Sequence, residues 1–380
     1  MRRIRMAMVG GGPGSFIGPM HRIAAHLNGG IELVAGAFSA DAGRSAEAGR
    51  EYGLDPGRAY GDYRQMLEAE AHREDRPDFV TIVTPNALHY EIAQSALAAS
   101  FHVVSDKPAT ATLAEALALR SAIAASGCLY LLTYTYTGYP MVREARNLCR
   151  GGALGALRKV VVEFTQGWLN ERIELTGHKQ AAWRTDPAQA GIGGCSSDIG
   201  VHAFNLLEYV TGHKVTALCA ALSQVLPGRQ LDDDCNFLLR LDNGAPGVLH
   251  ASQIAAGERS RFELRVYGER GSLRWAREDP GRLHLCWLDG RSESRLAASR
   301  GSPQVTGSLS GLNGGKPPEG FLEGFANLYQ DFAALIRRYA AGETDAWNDT
   351  LCGIDDGVRG MLFLQRAIDS SACSAWVQLE

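Results

Sequence analysis

The chain predicts an α/β protein in which a doubly wound parallel sheet is followed by an α+β domain on a large open, mostly antiparallel sheet. Three observations carry that expectation. Short apolar segments alternate with amphipathic ones up to about residue 135, and a glycine-rich run follows the first of them. Beyond about residue 155, apolar segments succeed one another with few helical stretches between them. With 380 residues, 45% of them hydrophobic, the chain can bury two cores, so domains over 1–135 and 136–380 are expected.

Residues 4–9 read as a buried strand, 10–18 as a turn and 21–27 as a helix. The alternation then repeats, with strands over 31–38, 79–84, 101–105 and 129–133 and helices over 41–52, 62–71, 87–98 and 113–125. The second half offers strands over 157–164, 215–226, 236–241, 247–253, 262–267 and 272–275. A Gly-, Ser- and Pro-rich stretch over 300–320 reads as a surface loop. Helices over 321–340 and 351–370 follow, and they are expected to pack back on the first domain.

The formal net charge is −4 and no basic block interrupts the mixed charges, which argues against a nucleic-acid partner and for a small molecule. Eight cysteines lie scattered without a CxxC pair, as reduced thiols of the cytoplasm would. The apolar run behind the basic start ends at Gly10, too short for a signal-peptide core or a membrane span. A cytoplasmic location is expected.

Gly10, Gly11, Gly12, Pro13, Gly14, Ser15, Phe16, Ile17 and Gly18 join a strand to a helix, the setting in which a dinucleotide fingerprint has meaning. Gly10 and Gly12 fit its first positions, and Gly18 is taken as the third, after an insertion, in preference to Ser15. Gly10, Gly12, Gly14, Ser15, Phe16 and Ile17 are therefore cofactor-contact candidates, with a ligand-free turn as the rival reading. At the end of the second strand, where an acid would bond the ribose 2′-hydroxyl of NAD, Phe38 and Ser39 stand instead. Ser39 and Arg44 are the candidates there. Arg44 suits a 2′-phosphate, whereas Asp41 suits NAD or merely caps a helix, so NAD and NADP both stay open.

Oxidising an alcohol needs a base within hydrogen-bond reach of the hydroxyl. Asp198 and His202 stand four residues apart on an expected helix, one turn, so both can face one pocket. A structural histidine is the commoner role for a lone helical imidazole, but the Gly191, Ile192, Gly193, Gly194 approach favours a ligand coming close to backbone. Cys195, Asp198 and His202 on one face also allow a metal site, without an evident fourth ligand. Asp106 and Lys107 end the strand over 101–105, at the edge where open α/β sheets bind ligands, and Lys107 can polarise an oxygen there. Thr84, Pro85, Asn86 and His89 end the preceding strand and are candidates for the nicotinamide ribose, against a helix-capping role for Asn86. Tyr136 and Arg184 are candidates for holding a polyhydroxylated ring.

In their order along the chain, the glycine turn with Ile17-Gly18-Pro19-Met20-His21, Thr84-Pro85-Asn86, Asp106-Lys107-Pro108, Trp183-Arg184, Asp198 to His202, and Phe321 to Asn327 resemble the glucose-fructose oxidoreductase and inositol dehydrogenase family, Gfo/Idh/MocA. The likeness spans nearly the whole chain and is greatest to the levoglucosan dehydrogenase branch, whose members oxidise a ring hydroxyl to a ketone. It implies a Rossmann domain, an α/β domain on an open sheet, NAD or NADP, and a sugar, anhydrosugar or inositol substrate. It also implies Lys107, Asp198 and His202 as catalytic residues, a cis proline after Lys107, and a homodimer or homotetramer. Three positions depart from the family pattern: Asp106 replaces its usual Glu, Phe38 its usual acid, and Asn205 a frequent acid. The rival functions are a cofactor-binding sensor without turnover and a metal-dependent hydrolase or lyase.

Overall fold

A computed structural model describes residues 2–297, 320–343 and 347–379. By its internal contacts the chain forms two compact units, one of residues 1–134 with 325–361 and the other of 135–324 with 362–380. The expected loop over 300–320 lies, apart from Gly320, outside the described residues.

The first unit alternates β1 (Ile4–Gly10), α1 (Ile17–His26), β2 (Ile31–Ala37), α2 (Ala42–Glu51), α3 (Tyr63–Ala71), β3 (Phe79–Val83), α4 (His89–Ala98), β4 (His102–Ser105), α5 (Leu113–Ser126) and β5 (Tyr130–Leu132). The strands form one parallel sheet in the order β2-β1-β3-β4-β5. Every residue of β3 is buried, as a central strand covered on both faces must be. Because β1 lies between β2 and β3, the chain reverses direction across the sheet at β1/β3, which opens a crevice at the carboxyl ends of these strands. Gly10 ends β1 and Val83 ends β3, so the glycine turn and Thr84 border that crevice. Helix α1 starts at Ile17 rather than His21, because Pro19 falls in the first turn, where a missing N–H costs nothing.

The second unit begins with α6 (Pro140–Arg150), an amphipathic helix absent from the expected elements, then β6 (Leu157–Thr165), α7 (Lys179–Arg184) and α8 (Pro187–Ala190). A π-helical turn over Ser196–Gly200 leads into α9 (Val201–Thr211). There follow β7 (Val215–Ser223), β8 (Asp234–Leu241), β9 (Pro246–Ser252), β10 (Arg261–Gly268), β11 (Gly271–Ala276), β12 (Arg282–Trp287) and β13 (Ser292–Leu296). Last in chain order come α10 (Phe321–Ala340), α11 (Ile354–Cys373) and β14 (Val377–Gln378), of which residues 325–361 belong to the first unit. The nine-stranded sheet runs β13-β12-β11-β10-β6-β9-β8-β7-β14, antiparallel except for the β6/β9 pair. Strand β7 stops short of the expected residue 226, because the Asp233 carboxylate takes the N–H of Val225 at 2.8 Å and of Leu226 at 3.0 Å away from any ladder.

Each unit has its own aromatic core. Phe79 meets Phe332 of α10 edge to face at 5.7 Å in the first, and Phe164 stacks on Phe262 at 4.3 Å in the second. Aromatic pairs of this geometry add about 0.5–1.5 kcal/mol beyond their buried area. Among the described residues no helix is long and apolar enough to cross a membrane.

Candidate active site

In the first unit the ligand-facing end is shaped by what its glycines lack. Gly10, Gly11 and Gly14 hold φ values of +87°, +79° and +79°, which side chains resist. A Cβ on Gly10 would stand 2.8 Å from the Val83 carbonyl oxygen, and one on Gly12 would stand 2.5 Å from that of Phe38. A Cβ on Gly18 would lie 2.3 Å from Gly11 Cα, so Gly18 is where helix and strand turn touch. That contact is the role of a third fingerprint glycine, and Ser15 does not fill it. Ser15 instead accepts from Gly18 N at 3.2 Å. Phe16, 44% exposed, precedes the helix without a side-chain cap, and the first turn holds no acid. Thr84 Oγ1, beside Gly10, is buried and meets no hydrogen-bond partner among the described residues. An acid-free helix start, a cradle that any Cβ would fill and a waiting hydroxyl fit a dinucleotide.

At the end of β2, Phe38 is buried edge-on to Tyr52 at 5.1 Å, so it belongs to the core. Asp41 caps α2 by accepting from Arg44 N at 2.9 Å, and Ser39 Oγ accepts from Asp41 N at 3.2 Å. The Arg44 guanidinium reaches back to the Pro13 carbonyl at 3.3 Å, which sets a cation beside the glycine turn.

The ends of β3 and β4 hold the remaining first-unit candidates. Asn86 is 6% exposed and opens a short 3-10 turn after Pro85. His89 sets Nδ1 2.8 Å from the Pro108 carbonyl and Nε2 3.0 Å from that of Thr84. The Lys107-Pro108 peptide is cis, as the resemblance implied. Asp106 accepts from Thr133 Oγ1 at 3.0 Å, and His21 Nε2 stands 3.9 Å away, beyond direct bonding but within electrostatic reach. Burial pushes the Asp106 carboxyl up, but His21, with the neighbouring Lys107 and His89, outweighs it and holds the group well below the usual carboxylate range.

In the second unit one carboxylate organises the turn before α9. Asp232 accepts from Gly194 N at 2.8 Å, Ser196 N at 2.6 Å and Ser196 Oγ at 3.0 Å, while its own carbonyl takes Cys195 N at 2.7 Å. A Cβ on Gly194 would lie 2.2 Å from that carbonyl oxygen. At Gly194, therefore, the glycine admits Asp232 rather than a ligand, which corrects the reading made from sequence. Burial still pushes the Asp232 carboxyl up despite these donors.

Asp198 lies in the π-helical turn, a distortion that recurs at functional sites. Its Oδ2 accepts from Arg184 Nε at 3.2 Å and Gln253 Nε2 at 2.8 Å. Arg184 is itself fixed by Gln180, through the carbonyl at 3.1 Å and Oε1 at 2.8 Å, and lies over the Trp183 ring at 4.2 Å. His202, 8% exposed, meets the Tyr136 ring edge to face at 5.0 Å. Burial raises the Tyr136 phenol; Arg277 pulls the other way and the Asp198 charge adds to the rise. The second unit thus gathers Tyr136, Arg184, Asp198 and His202. Gln253, just past the end of β9, and Asp232, just before β8, were missed; a polar residue at a strand terminus was the available signal.

The metal reading meets a correction. Among the described residues, the group able to converge on one ion is Cys195, Asp232 and Cys235, all buried, and it excludes Asp198 and His202. Asp198 is drawn to Arg184 and Gln253 instead.

Comparison with known proteins decides the family. Residues 4–134 match the oxidoreductase family with an NAD-binding Rossmann fold, and residues 142–274 match the GFO/IDH/MocA C-terminal domain. An uncharacterized oxidoreductase of Bacillus subtilis, YfiI, is 31% identical over 386 residues, covering 99% of this chain and 97% of that one. The chain belongs to the Gfo/Idh/MocA family. A crystal structure of an inositol dehydrogenase homolog from Azotobacter vinelandii, in complex with NAD+, superposes with a TM-score of 0.92 at 33% identity, covering 99% of this chain and 97% of that one. The levoglucosan dehydrogenase of Pseudarthrobacter phenanthrenivorans is 26% identical over 276 residues, 66% of this chain and 67% of that enzyme. This Gfo/Idh/MocA member is therefore an oxidoreductase with an NAD-binding Rossmann domain.

Proposed function

We propose that this oxidoreductase interconverts a ring hydroxyl and a ketone on a sugar, anhydrosugar or inositol, with His202 as general base. The observation that carries the reading is the carboxylate of Asp198, fixed by Arg184 and Gln253 one turn before a histidine that packs on Tyr136. The names of the relatives, an inositol dehydrogenase homolog and a levoglucosan dehydrogenase, support the same substrate class. The first unit holds the nucleotide through the backbone around Gly10, Gly12, Gly14, Ser15, Phe16 and Ile17. Ser39 and Arg44 serve the adenosine ribose, Thr84, Pro85 and Asn86 the other ribose, and His89 and Asp106 support Lys107. When bound, NAD(P) supplies the acceptor for the two electrons that leave the carbinol carbon.

His202 takes the hydroxyl proton, because an imidazole titrates near neutral pH and an alkyl hydroxyl does not. The negative charge of Asp198 favours the imidazolium that results, and the Lys107 ammonium offsets charge growing on the oxygen. Tyr136 and Arg184 orient the ring. A homodimer or homotetramer formed through the open sheet belongs to the same reading; β8 leaves Leu238 53% exposed on that face.

The test measures NADH and NADPH formation across monosaccharides, anhydrosugars and inositols, with each cofactor separately. His202→Ala lowers kcat by about 10²–10⁴ on the best substrate and leaves cofactor affinity within about twofold. Parental turnover in that variant removes His202 from the reaction, and silence of the parent across the panel removes the substrate class.

A further inference from the structure

His89 is 1% exposed and opens α4, and both of its ring nitrogens face backbone carbonyls, those of Pro108 at 2.8 Å and Thr84 at 3.0 Å. A carbonyl oxygen only accepts. A neutral imidazole owns one N–H and one lone pair, so a neutral ring can bond one of these oxygens and not both. Burial opposes the charged form of His89 most strongly, and Lys107 adds to that, while Asp106 and the two carbonyls oppose it less; the ring is held below the ordinary imidazole range and is neutral near pH 7. The shorter contact then takes the proton. That places the N–H on Nδ1, aimed at Pro108.

The consequence falls on Lys107. Its ammonium ends a flexible four-carbon stem, so its position is only as good as the backbone at its root. Pro108 has no N–H with which to anchor that root. Its carbonyl is a remaining handle, and His89 holds it. We propose that His89 is a positioning residue, whose Nδ1–H grips the Pro108 carbonyl and thereby fixes the segment from which Lys107 works. The proposal rests on the reading of Lys107 given above. It also separates His89 from the cofactor contacts that surround it, because the ring is buried with both nitrogens turned to backbone carbonyls.

Substitution can divide the two nitrogens, since an Asn amide reproduces a donor at the Nδ1 position and a Gln amide one at Nε2. In the holoenzyme, His89→Ala and His89→Gln should lose about 10–100-fold in kcat while the KM for cofactor moves less than about threefold. His89→Asn should recover at least tenfold of what Ala loses. Rescue by Gln rather than Asn, equal loss in all variants, or an effect confined to cofactor KM overturns the proposal. The unmutated, ligand-free protein offers a check that no folding defect can blur. Nitrogen-15 spectra of its histidines at pH 7 should show His89 protonated at Nδ1 and bare at Nε2. The opposite tautomer, or a ring protonated on both sides, overturns the proposal. Lys107→Ala in the same assay keeps the two ideas apart: parental turnover there sinks the role of Lys107, whereas the tautomer judges His89 by itself.

Discussion

The two units present their candidate ligand ends in different materials. In the first the shape is made of backbone, with glycines at Gly10, Gly12 and Gly18 that leave no room for a single extra carbon. In the second it is made of side chains, with Asp198 held between Arg184 and Gln253 and His202 against Tyr136. A backbone surface suits a ligand part shared by many enzymes, the pyrophosphate, whose recognition needs only N–H groups and close approach. A side-chain surface suits chemistry, because a side chain such as imidazole can gain and lose a proton near neutral pH whereas a peptide N–H cannot. Damage to the first should therefore appear in cofactor affinity, and damage to the second in turnover.

The largest expected effect tests the side-chain end. Asp198→Asn keeps the size of the group and removes its charge, and kcat should fall by about 10²-fold or more with cofactor affinity within about twofold. Steady-state rates and a cofactor titration by fluorescence decide it; a loss in affinity alone would erase the contrast between the two ends. Next comes the backbone end. Gly18→Ala forces a carbon against Gly11 Cα, and an overpacking cost of about 1–3 kcal/mol should raise the cofactor Kd roughly 5–150-fold, with a smaller change in kcat at saturating cofactor.

A third effect probes the scaffold under that backbone end. His102 Nδ1 accepts from Leu129 N at 3.0 Å, which requires a bare nitrogen, and burial, helped by Arg76 against Asp78, pushes the group down to about 4. The unfolded imidazole takes its proton near the ordinary value of about 6.5. Because the folded form resists protonation, this contribution to stability is full above that value and is lost as pH falls toward about 4. Thermal melts should therefore drop across this window, and His102→Asn, which keeps an acceptor at the same place, should flatten the drop. An unchanged slope would remove His102 as its source. The smallest effect concerns the choice of cofactor. Arg44→Ala should lower kcat/KM for NADP about 5–20-fold and leave that for NAD within about twofold, since the guanidinium beside Pro13 is suited to a 2′-phosphate. Equal losses with both cofactors would make Arg44 a pyrophosphate contact instead.

Much of this was legible along the chain. The parallel sheet follows from strands whose apolar runs are continuous, such as Phe79–Val83, and the strand-rich second half from segments that alternate, such as Asp234–Leu241. Other elements left no such trace. Strand β13 is mostly exposed and polar, so its pairing with β12 has no hydrophobic signature. Helix α6 was legible, with Met141, Val142 and Ala145 spaced to bury one face, but was not among the expected elements. Gly194 was legible as a place of close approach, but what approaches is the Asp232 carbonyl.

Sequence alone determined the fold class and the glycine cradle and singled out Asp198 and His202 as candidates, because each reading depends on neighbours within a few positions, where spacing is geometry. Only tertiary structure decided the partners of those groups: Gln253 and Arg184 on Asp198, Asp232 under the turn, and His89 between the Thr84 and Pro108 carbonyls. A hydrogen bond is specified by distance and direction at about 3 Å, and Arg184 and Gln253, 14 and 55 positions from Asp198, reach it only after the chain has folded.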